Sequence, residues 1–148
     1  MGQGQRLYIH PADERTGESM KRKILLIEDN EQNRYLTTFL LEKNGYEVFS
    51  ASDGPQGIEL AGRILPLAIL LDIQLPSMDG YAVARELRNN PVLANIPIVA
   101  VTSYAMSGDR EKMIAAGCDG YIEKPINPDT FVAEIERYIT EARKDTRL

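Results

Sequence analysis

From Lys23 onward the chain alternates between short apolar runs and longer stretches of helical spacing. KILLIE, YEVFSA, LAILLD, IPIVAVTS and CDGYIEK read as strands. LAILLD and IPIVAVTS are apolar throughout instead of alternating, as strands covered by helices on both faces are. NEQNRYLTTFLLEKNG sets Leu36, Phe39, Leu40 and Lys43 at helical spacing, with Asn30 as its N-cap and Gly45 as its stop. SDGPQGIELAGRI predicts a second helix entered near Asp53, with Ile58, Ala61 and Ile64 or Leu65 facing inward. A third spans Tyr81 to Leu87, with Val83, Ala84 and Leu87 inward, and a fourth spans Arg110 to Ala116 and ends at Gly117. NPDTFVAEIERYITEAR predicts the last helix. Asn127 is its cap, Pro128 its first position, and Asp129 suits the positive end of the dipole. Phe131, Ile135, Ile139 and Ala142 form its stripe. Strands each followed by a helix predict an α/β fold with a doubly wound parallel sheet and right-handed crossovers.

The 148 residues suffice for one domain with a substantial core. Residues 1–20, rich in Gly and polar types, read as a flexible N-terminal extension with LYIH as a short contact segment. The domain is expected over 21–143, and 144–148 as a short charged tail. The net charge of -5, with both signs interspersed, argues against nucleic acid, whose phosphates need clustered Lys and Arg. The run Lys21-Arg22-Lys23 reads as a solvated strand edge. A single cysteine rules out an internal disulfide and fits a reducing compartment, so a cytoplasmic location is expected. No apolar run is long enough for membrane insertion, and no signal segment opens the chain.

Chemistry enters at the strand ends, beyond which ligands bind in doubly wound sheets. Strand one ends in Glu28-Asp29, strand three in Asp72, strand four in Thr102-Ser103 and strand five in Glu123-Lys124-Pro125. In a simple strand order these ends converge. Gathering three carboxylates is costly unless a cation offsets them. The donors are all oxygens, which suits Mg²⁺ before Zn²⁺. Asp29 and Asp72 are the expected direct ligands, Glu28 acts through water, and the backbone carbonyl of Gln74 reaches in from the following loop. The plainer alternative is that Glu28 and Asp29 only cap the first helix, which leaves Asp72 and Lys124 unexplained. Phosphoryl transfer needs a nucleophile and neutralisation of three equatorial oxygens. Asp72 can supply the first; the metal, Lys124 and Thr102 can supply the second.

ILLIEDN, LLDIQLPSMDG, VAVTS and GYIEKP resemble the four signature stretches of response-regulator receiver domains of two-component signalling. The similarity runs from about Lys23 to Ala142. It implies a flavodoxin-like five-stranded parallel sheet in order 2-1-3-4-5 with helices on both faces. It also implies that Asp72 is the phosphoacceptor, that Glu28 and Asp29 organise Mg²⁺, that Thr102 and Tyr121 form the switch, and that Lys124 is the family's Lys, with Lys124-Pro125 cis. Gln74 and Tyr104 match positions that tune phosphoryl lifetime. LPSMDG and SYAMSGDREKM are similar to regulators of asymmetric division and to receivers of hybrid kinases. The resemblance implies a stand-alone regulator phosphorylated by a sensor histidine kinase or a histidine phosphotransfer protein and read by a downstream protein partner. It implies self-phosphorylation and self-dephosphorylation without a separate catalytic output domain.

Other readings fit less well. A flavin-binding protein of this fold wants a phosphate-cradling loop after strand one, where Glu28-Asp29-Asn30 would repel it. No GxGxxG or GxxxxGK[ST] follows a strand. An Asp-nucleophile phosphatase needs a second acid beside Asp72, and Asp79 reads as a helix cap. The remaining alternative is an interaction module of the receiver fold that works without phosphorylation.

Overall fold

The computed structural model describes residues 22–103 and 105–146. The expected extension, LYIH included, and Tyr104 lie outside the described residues. Five parallel strands, β1 (Lys23–Ile27), β2 (Glu47–Ala51), β3 (Ala68–Asp72), β4 (Ile98–Thr102) and β5 (Gly120–Glu123), form one sheet in the order β2-β1-β3-β4-β5. The helices between and after them are α1 (Glu31–Lys43), α2 (Gly54–Ile64), α3 (Gly80–Asn89), α4 (Ser107–Ala116) and α5 (Phe131–Thr146). This is the flavodoxin-like order that the resemblance to receiver domains implies.

Successive side chains of a strand point to opposite faces, so the central strands feed two cores. Leu25, Ile27, Ile69, Leu71, Ile98 and Ala100 meet Ala61 of α2, Val83, Ala84 and Leu87 of α3, and Met113 and Ala116 of α4. Ile24, Leu26, Leu70, Val99, Val101 and Ile122 meet Leu40 and Leu41 of α1 and Phe131, Ile135 and Ile139 of α5. Residues of β3 and β4 are buried throughout, which is why those two runs carry no alternation.

The local signals hold at most helix ends. Asn30, Asp53 and Asp79 each accept a hydrogen bond from the backbone N–H three residues on. Gly117 ends α4 in the left-handed region, at φ 110°. Other readings need correction. In α1 the buried positions are Thr37, Leu40 and Leu41, whereas Phe39 is 52% exposed and lies under the Lys43 ammonium. Spacings of three and four admit two adjacent stripes, and contact with the sheet selects one. In α2 the choice left between Ile64 and Leu65 falls to Ile64, which packs inward, while Leu65 is exposed and takes the left-handed cap conformation at φ 49°. α4 opens at Ser107, ahead of Arg110. α5 opens at Phe131 after a turn in which Asn127 accepts from Asp129 N and, through its carbonyl, from Phe131 N. Pro128 therefore lies in that turn instead of at the first helical position. α5 also continues to Thr146, into the stretch read as a tail.

Candidate functional site

Strand register assembles the site. Ile27 pairs with Leu71, Asp72 with Val101 and Thr102 with Glu123. Glu28, Asp72, Thr102 and Lys124 thus emerge side by side at the C-terminal edge. The link continues past the strands, with Glu28 N donating to Ala51 O at 3.0 Å and Lys124 N donating to Thr102 O at 2.8 Å. The Lys124-Pro125 bond is cis.

Glu28 and Asp72 are both buried, at 3% exposure each, while Asp29 is exposed. One oxygen from each of these three carboxylates falls within 4.8 Å of the others. Lys124 Nζ stands 3.4 Å from Glu28 Oε1 and 3.4 Å from Asp72 Oδ2. The other Asp72 oxygen, Oδ1, accepts from Gln74 N at 2.9 Å, and Glu28 Oε2 accepts from Asn30 N at 3.1 Å. An all-oxygen cluster with two buried carboxylates is compatible with Mg²⁺, a hard ion that takes one or two carboxylates and keeps waters.

The Glu28 carboxyl is pushed up from 4.5 to about 7. Burial is the leading cause, followed by the hydrogen bond to Asp72 and the negative charge of Asp72. Asn30 N–H and Lys124 act in the opposite direction. A raised carboxyl keeps its proton in the folded state where the unfolded chain has released it. Metal-free protein is therefore expected to lose stability as pH rises from 4.5 to about 7 and to level off above that. Urea unfolding of wild type and Glu28→Gln in chelator, at about pH 5 and about pH 8, tests this. The fall should be smaller in the variant, and equal slopes would refute it.

Of the residues singled out at the strand ends, Glu28, Asp29, Asp72 and Lys124 come together, and Thr102 emerges beside Asp72 on the neighbouring strand. Gln74 was expected through its carbonyl; what the structure shows at the site is its backbone N–H on Asp72 and its side-chain Nε2, which donates to the Thr102 hydroxyl at 3.0 Å. Thr102 is buried at 1% exposure. Tyr121 is half-buried at the start of β5, packed against the α2–α4 side of the sheet, and its carbonyl accepts from Tyr138 OH at 3.2 Å.

Sequence reasoning missed Arg34, whose Nη1 donates to the carbonyls of Glu28 at 2.9 Å and Asp29 at 3.1 Å. It fixes the backbone that carries the acidic pair. The available signal was a long cationic side chain one turn inside α1, where helical side chains lean back toward the N-terminus. Gly80 shapes the opposite wall. A Cβ there would lie 2.5 Å from Ile73 Cα and 2.9 Å from Asp72 O. Only glycine lets the start of α3 approach the end of β3 so closely.

The family model for the response regulator receiver domain matches residues 24–136. The chain belongs to that family. This receiver is 39% identical over 123 residues to the polar-differentiation response regulator DivK of Brucella anthropi, covering 83% of this chain and 100% of the relative. Among solved structures it is similar to the receiver domain of sensor histidine kinase PA1611 from Pseudomonas aeruginosa, at TM-score 0.75 and 37% identity, with 81% of this chain and 98% of that one covered. That structure holds a magnesium ion in its active-site cleft. The chemotaxis protein CheY4 of Vibrio cholerae gives TM-score 0.77 at 26% identity, covering 80% of this chain and 98% of that chain. Among the described residues, no helix of the receiver is long and apolar enough to cross a membrane.

Proposed function

We propose that this receiver accepts a phosphoryl group on Asp72 from the phosphohistidine of a sensor histidine kinase or histidine phosphotransfer protein, and signals through a partner that reads the resulting change. The observation that carries this reading is a buried Asp72 with one oxygen bound by a backbone N–H and the other facing Lys124, beside two further carboxylates. Asp29 and Asp72 would hold Mg²⁺, with Glu28 acting through water and the Gln74 carbonyl completing the protein ligands. When bound, the ion supplies charge neutralisation for the crowded oxygens and for the incoming phosphoryl.

An oxygen of Asp72 forms the O–P bond as the donor's N–P bond breaks. The leaving imidazole nitrogen takes its proton from water. Lys124, now 3.4 Å from Asp72, can turn its charge to a phosphoryl oxygen. The Thr102 hydroxyl can donate to another by moving toward Asp72. That movement frees space beside β5 for Tyr121 to turn inward, and the two arrangements form a population that phosphorylation shifts.

Intact-mass measurement after incubation with acetyl phosphate and Mg²⁺ is the test. Wild type should gain one phosphoryl group, and neither Asp72→Asn nor chelator-treated wild type should gain it. A stable adduct on Asp72→Asn would sink the assignment. A wild type that stays unmodified with donor and ion in excess would favour the phosphorylation-independent interaction module.

A further inference from the structure

Arg110, in the first turn of α4, belongs neither to the acidic cluster nor to the buried cores. It nevertheless touches both Tyr121 in β5 and the loop that follows β4. Its guanidinium carbon stands 5.2 Å from the centre of the Tyr121 ring. Its Nε donates to the carbonyl of Ala105 at 3.1 Å. Ala105 is buried and follows Thr102 by three residues, so the carbonyl belongs to the loop that leaves β4 after Thr102. A planar guanidinium can stack on a ring while an in-plane N–H serves a carbonyl; an ammonium offers no such plane.

We propose that Arg110 is a positioning residue that holds the Tyr121 ring in its half-exposed place and ties it to the loop following Thr102. This rests on the phosphoacceptor reading for what the contact regulates, but the contact itself does not. Both of its arms favour the arrangement seen here. Tyr121 cannot turn inward without leaving the guanidinium, and the loop cannot follow Thr102 without straining the bond to Ala105. Arg110 therefore weights the population toward the resting state, and its removal weights it toward the state that a phosphoryl group favours.

The full chain carrying Arg110→Ala or Arg110→Lys, each alone and combined with Tyr121→Leu, tests this. Two quantities are read: the Tyr121 ring resonances of isotope-labelled tyrosine in metal-free protein, and the apparent affinity for beryllofluoride with Mg²⁺. Arg110→Ala should move the free-state ring resonances toward their beryllofluoride-bound positions and tighten beryllofluoride binding by about two- to fivefold, the range of a partly exposed cation–ring contact. Arg110→Lys, which keeps the charge, should fall between wild type and Arg110→Ala. In the Tyr121→Leu background Arg110→Ala should change the affinity no further. Unchanged ring resonances and affinity in Arg110→Ala would overturn the proposal, as would the same gain persisting without the Tyr121 ring. Wild type that fails to bind beryllofluoride would overturn the phosphoacceptor reading alone, and Tyr121 ring resonances left unchanged by Arg110→Ala in the free protein would still overturn the role of Arg110.

Discussion

Replacing Arg88 with Ala should lower the unfolding free energy in urea by about 2–4 kcal/mol. Arg88 is only partly exposed, and its guanidinium joins several elements at the end of the sheet away from the acidic cluster. Nε donates to Gly117 O at 2.8 Å, where α4 ends. Nη1 donates to Ile96 O at 2.7 Å and to Ala94 O at 3.1 Å, in the loop leading to β4. Nη2 meets Asp119 Oδ2 at 2.6 Å, and the same oxygen accepts from Ile98 N at 2.8 Å. Truncation leaves these carbonyls without their donor and Asp119 without its cation. Unmade bonds of this kind cost more than the net worth of the bonds themselves. Domains of this size have only about 5–15 kcal/mol in total, so the loss is a large fraction. Arg88→Lys should recover little, since an ammonium cannot serve the fork of acceptors. Phosphoryl acceptance measured well below the melting temperature should be nearly unchanged, because the network lies at the other end of the strands. A loss under about 1 kcal/mol would mean that water replaces the guanidinium at these carbonyls.

Gly80→Ala should damage the site and the fold together. Two of the atoms that its Cβ would meet, Ile73 Cα and Asp72 O, are backbone and cannot rotate aside. Either α3 retreats or the end of β3 is displaced. Gly80 N also donates to Ile73 O at 2.9 Å, so a retreat breaks that bond. Overpacking of this kind costs about 1–3 kcal/mol. Displacing the segment that carries Asp72 and the Gln74 N–H should slow phosphoryl incorporation by about tenfold or more, since in-line transfer depends steeply on position. Initial rates by intact mass, with urea unfolding in parallel, check both parts. Gly62→Ala is the control. Nothing lies within 4 Å of a Cβ there, and the substitution in α2 should stabilise by about 0.5–1 kcal/mol with the rate unchanged. If Gly80→Ala behaves as Gly62→Ala does, the close approach of α3 to β3 has no part in presenting Asp72.

The order of the elements, the fold class and the acidic side chains gathered at the strand ends were legible in the sequence, because each rests on short-range rules. Apolar runs and helical spacing mark strands and helices over a few residues, and the caps Asn30, Asp53 and Asp79 bond to N–H groups three positions on. Given a parallel sheet, the edge that collects Glu28, Asp29, Asp72, Thr102 and Lys124 followed. Tertiary structure decided what depends on partners far apart in the chain. Sheet contact, and not spacing, buries Leu41 and leaves Phe39 exposed. Strand register brings the Gln74 amide to Thr102, a gap of 28 residues, and the packing of α3 brings Arg88 to Asp119, a gap of 31. Arg110 reaches Tyr121 only because α4 lies alongside β5. The raised Glu28 carboxyl needs both its burial and Asp72 from another strand. A side chain's local pattern states which element it belongs to; its charge state and its partners are set by what the fold places against it.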